Sequence, residues 1–331
     1  MKYAKLGNTD ITVSRICVGG MSFGQVQENG HQWLLDQSDT RDMIAHAMEQ
    51  GVNFFDTANS YAAGTSEEYI GKAVRDLSVP RDKVVIATKV YFNLTTSEHL
   101  TKAAINAEVE GSLRRLGTDY IDLYQIHRFD YDTPIEETME ALDGLVRQGK
   151  VRAIGCSAMY GYQLYNMQLA AERNGWTKFS TMQDHYNLIY REDEHEVIPV
   201  CRQFGMSLIP FSPLAAGHLT RNTWDSPSKR AQTDKIAVAK YDRARDMDMP
   251  VISRVSEIAE KYNVTMTEVS LAWHYAKGVT APIVGATKAS HFDTACRAVD
   301  LELTAEDISY MEELYLPHEI VGQIKNTGKM Y

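Results

Sequence analysis

The sequence predicts an α/β fold: a single closed (β/α)8 barrel over residues 1–331, with an N-terminal β-hairpin and extra helices late in the chain. Three observations carry this. Short apolar runs alternate with segments of helical period, and the first seven runs start about 28 to 38 residues apart, the length of one strand-plus-helix unit. An eighth run follows, and eight units close a barrel. Six consecutive units also end their strands on polar residues, Asp56, Lys89, His127, Ser157, Gln183 and Ser212, as chemistry gathered at the carboxyl ends of barrel strands requires. A doubly wound open sheet fits the same alternation, but no GxGxxG follows the first strand. No Gly/Ser- or Pro-rich linker divides the units.

Residues 3–14 carry two short alternating runs around Gly7-Asn-Thr-Asp10, a hairpin signal. Strand 15–18 then enters Gly19-Gly20-Met21-Ser22-Phe23-Gly24, whose glycines permit close backbone approach. A polar loop, 25–38, holds Trp33. The first helix spans about 39–50, with Gly51 as its stop. Strand 52–55 leads to Asp56, and Asn59-Ser60 turns the chain to Tyr61. Ser66 is a candidate cap for the second helix, whose stripe is Ile70, Ala73, Val74 and Leu77. Strand 84–88 reaches Lys89, and the third helix aligns Ile105, Val109, Leu113 and Leu116 on one face. Strand 121–126 reaches His127, and the next helix starts near Pro134. Strand 151–154 runs into Gly-Cys-Ser157, followed by a helix at about 161–174. Strand 179–182 reaches Gln183, with a helix at 194–203; strand 207–211 reaches Ser212, and strand 282–284 reaches Gly285. The long interval before the eighth strand holds a charged, weakly periodic stretch, 215–250, read as a lid or binding loop, then helices at 251–262 and 266–277. Helices at 290–298 and 305–314 and a polar tail, 317–331, end the chain.

The balance of 34 basic and 44 acidic residues, net -10, argues against nucleic acid as a partner. Four scattered cysteines, Cys17, Cys156, Cys201 and Cys296, show neither a disulfide framework nor metal-ligand spacing, so no metal is expected. The N-terminus has no apolar signal core and no run approaches a membrane span, which predicts a cytoplasmic protein. The outer helices present no isolated apolar stripe from which an oligomeric state follows.

Asp56, Tyr61, Lys89 and His127 leave three successive strands at one end and predict one active site. Phenol titrates near ~10. A cation at ~4 Å, with an effective dielectric of ~20, favours a phenolate by about 4 kcal/mol before screening. A tyrosine beside a lysine is thus suited to proton exchange near neutral pH. Asp56 would keep Lys89 charged and oriented, and His127 would position a substrate oxygen. Such a set protonates an oxygen as charge develops on it, which suits carbonyl reduction, but it holds no electron pair to give. A hydride donor is required, and nicotinamide is the economical one. Ser157 and Gln183 suit a carboxamide, and Phe211 could stack on a pyridine ring or simply pack. Gly285-Ala-Thr287-Lys288 precedes a helix N-terminus and suits an anion.

The order and spacing of these motifs resemble the aldo-keto reductases, in the branch that includes aryl-alcohol-dehydrogenase-like proteins and potassium-channel β subunits. The similarity spans essentially the whole chain. It runs through Leu6-Gly7, Gly19-Gly20-Met21, Phe55 to Tyr61, Ala87-Thr-Lys89, Gln125-Ile-His127, Ile154 to Ser157, Gln183, Phe211 to Leu214 and Ile283-Val-Gly285. The resemblance implies a catalytic tetrad of Asp56, Tyr61, Lys89 and His127, and NADPH bound without metal across the barrel mouth. It implies cofactor contacts from Gly20, Met21, Asp56, Ser157, Gln183, Phe211, Ser212, Pro213, Leu214, Gly217, Gly285, Thr287, Lys288 and His291. Ala158 stands where many relatives have asparagine, and Lys288, His291 and Ala295 where they have arginine, glutamine and asparagine. Lysine keeps the charge but loses the bidentate fork, so NADPH is expected with NADH use left open.

The resulting expectation is an NADP(H)-dependent reductase of aldehydes or ketones, reversible toward alcohols, with Tyr61 as proton donor. Trp33, Tyr91, Phe92, Phe129 and Tyr160, with the 215–250 stretch, would meet a small apolar or aromatic substrate. Two other readings stand beside it: an NADP(H)-binding redox-sensing regulatory subunit with very slow turnover, and a Schiff-base aldolase using Lys89.

Overall fold

The computed structural model describes residues 1–28 and 30–322. A hairpin of β1 (Tyr3–Lys5) and β2 (Thr12–Ser14) precedes eight parallel strands. These are β3 (Cys17–Gly19), β4 (Phe54–Asp56), β5 (Val85–Val90), β6 (Ile121–Ile126), β7 (Val151–Ser157), β8 (Thr181–Gln183), β9 (Ser207–Leu208) and β10 (Ile283–Val284). From β3 to β9 each pairs with the next, and β10 pairs with β3. Between β9 and β10, backbone N–H groups of Thr280 and Ile283 donate to the carbonyls of Leu208 and Pro210, both at 2.9 Å. Those bonds close the (β/α)8 barrel. Pro210 has no N–H to give, which ends β9 before the expected residue 211.

Successive side chains on a strand point to opposite faces. Cys17, Phe54, Val85, Ala87, Leu123, Ala153, Ile209 and Ile283 fill the barrel interior with Leu6, Ile11 and Val13 of the hairpin. The hairpin sits on the amino ends of the strands. Its Gly7 N–H donates to Ser207 Oγ at 2.7 Å, and Ser14 N–H to Asn53 Oδ1 at 2.7 Å. Gly7 has φ +55, and a Cβ there would lie 2.2 Å from the Ser180 carbonyl oxygen, so only glycine lets the hairpin seat. The carboxyl end stays open.

Outward residues such as Phe55, Ile86, Tyr124, Ile154 and Met182 meet the helices in a second, larger core. Six helices follow strands in the expected order: α1 (Gln37–Glu49), α2 (Thr65–Asp76), α3 (Lys102–Leu116), α4 (Ile135–Arg147), α5 (Gly161–Asn174) and α6 (Val197–Gln203). Asp36 caps α1, so the helix begins two residues before the expected 39. Ser66 does not cap α2: Gly64 holds that position, and Ser66 Oγ is spent on the Gly20 carbonyl and Thr57 Oγ1, both at 2.8 Å.

The 215–250 stretch, read as a loop, contains a 3-10 turn at 215–220, α7 (Lys229–Thr233), α8 (Lys235–Tyr241) and the start of α9 (Arg245–Tyr262). Buried Trp224 and Tyr241 anchor it, the latter hydrogen-bonding His185 Nε2 at 2.7 Å. Pro250 lies inside α9 instead of before it. After α10 (Met266–Ala276), α11 (Ala289–Arg297) and α12 (Ala305–Glu312), Tyr315 bonds Glu192 at 2.6 Å and His318 bonds Asp248 at 2.8 Å. The tail beyond 322 lies outside the described residues. No helix among the described residues is long and apolar enough to cross a membrane. Three cysteines are buried and Cys296 is partly so; all are free thiols.

Among the buried acids, Asp184 and Asp193 are poorly partnered. Both carboxylate oxygens of Asp184 and Oδ2 of Asp193 lack hydrogen-bond partners among the described residues. Burial pushes Asp184 up to about 7 and Asp193 well above the usual carboxylate range, with the Asp184 charge the next cause for Asp193. Between about pH 4 and pH 7 the folded state therefore holds more protons than the unfolded, and stability falls as pH rises through that window. Asp184→Asn is expected to remove most of this slope and to exceed the parent at pH 8 by roughly 1–2 kcal/mol in denaturant unfolding. An unchanged slope between pH 5 and pH 8 would contradict the assignment.

Candidate active site

The alternation that fills the barrel with apolar residues places polar ones on the same inward rows at the open end. Phe54 is followed two residues on by Asp56, Ala87 by Lys89, Leu123 by Gln125 and then His127, Gly155 by Ser157, and Thr181 by Gln183. Lys89 is fully buried and Asp56 nearly so. Lys89 Nζ donates to Asp56 Oδ1 at 2.5 Å, to the Thr57 carbonyl at 2.7 Å and to Tyr61 Oη at 3.4 Å. The other Asp56 oxygen accepts from Gln125 Nε2 at 3.0 Å and Gln183 Nε2 at 2.9 Å. Four strands thus converge on one carboxylate.

Tyr61 reaches the lysine through a strained turn. The N–H groups of Thr57 and Asn59 donate to the Ala87 and Lys89 carbonyls, carrying the β4 path past Asp56. Ala62, Ala63 and Gly64 then take left-handed φ values of 48, 55 and 95°. For an L-residue this costs about 1–2 kcal/mol each. Thr65 Oγ1 holds the turn by donating to the Ala62 carbonyl at 2.8 Å, and Asn59 Nδ2 by donating to buried Glu108 at 2.9 Å. Gly24 packs so closely that a Cβ there would lie 2.5 Å from that of Ala62. Tyr61 stands edge-on to His127, ring centroids 5.8 Å apart.

Burial alone would lower the Lys89 ammonium, but Asp56 and then Tyr61 outweigh it and raise its pKa above the ordinary lysine value. His127 goes the other way. Burial first, then the cations Lys89 and Arg128, hold its imidazole well below the ordinary histidine range, and its Nδ1 has no partner among the described residues. The site therefore combines a charged lysine, a phenol and a neutral imidazole.

The residues present fit a nicotinamide cofactor. Ser157 stands opposite Gln183 in register and donates to its carbonyl at 2.8 Å, leaving lone pairs on the hydroxyl. Gln183 has committed its amide hydrogens to Asp56 and Gln125, so only its Oε1 is left for a carboxamide. Phe211 is half-buried, with His185 stacked at 5.2 Å and 9° and the Lys240 ammonium 4.5 Å from its ring centroid, so a nicotinamide ring laid on Phe211 would take the place of Lys240. Beyond it Ser212, Ala215, Ala216 and Gly217 all take positive φ, and Arg221 closes the turn on the Gly217 carbonyl at 2.6 Å. Pro213 is buried and Leu214 partly so. Gly285 would project a Cβ into open space, and Thr287, Lys288 and His291 are exposed beside it. Gly20 has a different reason: a Cβ there would meet the Asp56 carbonyl oxygen at 2.8 Å, so it serves strand packing, while adjacent Met21 is partly exposed. Ala295 is fully buried inside α11.

Of the expected substrate residues, Phe92 is exposed and stands edge-on to His127 at 5.2 Å. Tyr91 is buried beneath it, stacked on His99 at 4.2 Å, and Phe129 is buried against Tyr131 at 5.0 Å. Trp33 is buried under Arg230 of the 215–250 stretch, 4.3 Å from ring to guanidinium, and Tyr160 stacks on Tyr162 at 6.0 Å. Gln125 was not among the sequence candidates. Its position two residues before His127, on the same face, was the available signal.

The profile of the aldo/keto reductase family matches residues 15–316, and the chain belongs to that family. An aldo-keto reductase of Fusarium vanettenii is 42% identical, over 97% of this chain and 92% of that protein. Versiconal hemiacetal acetate reductase of Aspergillus parasiticus is 39% identical over 97% and 98%. A Schizosaccharomyces pombe protein, provisionally named an aryl-alcohol dehydrogenase, is 40% identical over 97% and 98%. Membership and these relatives make the chain an oxidoreductase of the carbonyl-reducing kind.

The His127 environment gives a direct check. Ring-nitrogen NMR is expected to find it neutral at neutral pH, with no titration in the ordinary histidine range, and Lys89→Met should move its titration upward by removing one opposing charge. A midpoint near the free-histidine value in the parent protein would overturn the electrostatic picture.

Proposed function

We propose that this protein is an NADP(H)-dependent reductase of aldehydes or ketones, reversible toward the alcohols. The observation that carries the proposal is the Lys89 ammonium buried between the Asp56 carboxylate and the Tyr61 phenol. When bound, reduced nicotinamide supplies the hydride that the carbonyl carbon accepts. Tyr61 gives its hydroxyl proton to the carbonyl oxygen, and Lys89 stabilises the phenolate left behind. Asp56 keeps the ammonium aimed at the phenol, while Gln125 and Gln183 fix the carboxylate. Neutral His127 donates a hydrogen bond to the same oxygen and so sets the carbonyl in line with the phenol. In the alcohol-oxidising direction each proton move reverses.

Ser157 and the Gln183 Oε1 would hold the carboxamide, Phe211 the ring face, the 212–217 turn the pyrophosphate, and Lys288 with His291 the adenosine phosphate. Lys288 has no ion-pair partner among the described residues, which favours NADPH over NADH through one point charge. The raised Lys89 pKa argues against a Schiff-base role, since that nucleophile must be neutral.

The test is nicotinamide oxidation by the purified protein with a reactive aromatic aldehyde, NADPH and NADH side by side. Fast consumption with NADPH is expected. Tyr61→Phe should lower kcat by ~10² or more with NADPH affinity retained, because it removes one proton and little else. Tight NADPH binding without turnover would contradict a reductase and fit a redox-sensing subunit. Turnover unaffected by Tyr61→Phe would remove the phenol from the mechanism.

A further inference from the structure

Phe211, the ring assigned to the nicotinamide face, already carries a cation. Lys240 of α8 sets its Nζ 4.5 Å from the Phe211 ring centroid, a cation–π contact. The ammonium makes no ion pair among the described residues. Asp234, at the start of its helix, is bonded to Arg230 at 3.2 Å and caps α8 through the Ala237 N–H at 3.0 Å. Burial first, then the Arg128 charge, brings the ammonium down to about 8, so it is still charged at neutral pH.

The backbone that carries Lys240 is pinned. Tyr241, the next residue, is buried; its Oη lies 2.7 Å from His185 Nε2 and accepts from Asn187 Nδ2 at 3.2 Å. His185 is itself stacked on Phe211 and on Tyr190, at 5.2 and 4.1 Å, and Asn187 Nδ2 also donates to the Ser212 carbonyl at 3.0 Å. Asp242 follows and accepts from Trp224 Nε1 at 3.2 Å. The end of α8 is thus tied through His185 to Phe211 itself and through Asn187 to Ser212. A ring laid on Phe211 displaces the ammonium but not the helix that holds it, and the flexible four-carbon stem swings the charge to the edge of the platform. A cation therefore stays beside whatever ring Phe211 receives.

The two forms of a nicotinamide cofactor differ at that point by one charge. The ring is a positively charged pyridinium when oxidised and neutral when reduced, whereas the phosphates are the same in both. A like charge within ~4–6 Å disfavours the charged form, and any attraction of the ammonium for the phosphates cancels between the two. We propose that Lys240 is a specificity-determining residue that makes this site hold the reduced nicotinamide cofactor more tightly, relative to the oxidised one, than the rest of the site would. The inference rests on the cofactor reading and adds to it the oxidation state that the protein selects. In turnover, the cofactor that has given up its hydride is then the form more readily exchanged, which limits inhibition by spent cofactor.

The experiment is calorimetry of NADPH and of NADP⁺ binding to the full-length protein at pH 7 and fixed salt, for the parent, Lys240→Met, Lys240→Gln and Lys240→Arg. The ratio of the NADP⁺ to the NADPH dissociation constant is expected to fall ~10-fold in both neutral variants, the factor for two unit charges ~6 Å apart at an effective dielectric of ~40. Lys240→Arg, which keeps the charge, is expected to keep the parent ratio. A ratio unchanged in Lys240→Met and Lys240→Gln would overturn the proposal and leave the cofactor reading standing. Equal weakening of both forms would overturn it as well, since the ammonium would then serve the phosphates. Binding of neither form to the parent would sink the cofactor reading, and this inference with it.

Discussion

The contact between Lys89 and Asp56 is the constraint on which the rest of the site depends. A buried ion pair adds little or nothing to stability unless its remaining hydrogen-bonding capacity is met. Here the three lysine hydrogens have Asp56, the Thr57 carbonyl and Tyr61, and the carboxylate has Lys89, Gln125 and Gln183. Those partners leave β4, β5, β6 and β8, so the barrel must close in register for the pair to be satisfied. Conversely, removing one member would leave the other charge buried and unpaired, at a cost of about 3–5 kcal/mol. Fold and site are coupled through this one pair.

Backbone strain is distributed in accord with that division. Six of the eight non-glycine residues with positive φ among the described residues, Ala62, Ala63, Ala158, Ser212, Ala215 and Ala216, lie in turns that follow barrel strands at the open end. Of the other two, Ser78 lies in the turn from α2 to β5 and Asn263 between α9 and α10, and the amino end is sealed by the hairpin's Leu6, Ile11 and Val13. Strain concentrated where ligands would enter, above a plug of ordinary apolar packing, is the pattern expected of a site held in place by its scaffold. The neutral state of His127 follows from the same architecture, first through its burial and then because the pair that keeps Lys89 charged sets a cation beside the imidazole.

Much of this was legible in the sequence because a strand's period of two is rigid. Once Val84 to Thr88 reads as a strand, Lys89 is committed to one face, and the same holds for Asp56 and His127. Gln125 obeys the same rule but lies within an apolar-flanked run, where a polar residue reads as part of the strand. The 215–250 stretch was harder. Its helices are short, charged residues are nearly as frequent in it as apolar ones, and its anchors Trp224 and Tyr241 are spaced without period, so neither α8 nor the placement of Lys240 over Phe211 could be read. Pro250 ordinarily marks a boundary, yet α9 continues through it. Ser66 was misread because a serine near a helix start can cap or cross-link, and only the tertiary position of the Gly20 carbonyl decides.

The charge on Lys89 is what the account stands or falls on, and it is measurable directly by NMR of the lysine side-chain nitrogen. In the parent protein the resonance is expected to be that of an ammonium at and above neutral pH, and in Asp56→Asn to turn to that of a neutral amine at a lower pH than in the parent, because burial is then opposed only by the phenol and the Thr57 carbonyl. An amine in the parent at neutral pH, or an ammonium that persists unchanged without Asp56, would contradict it.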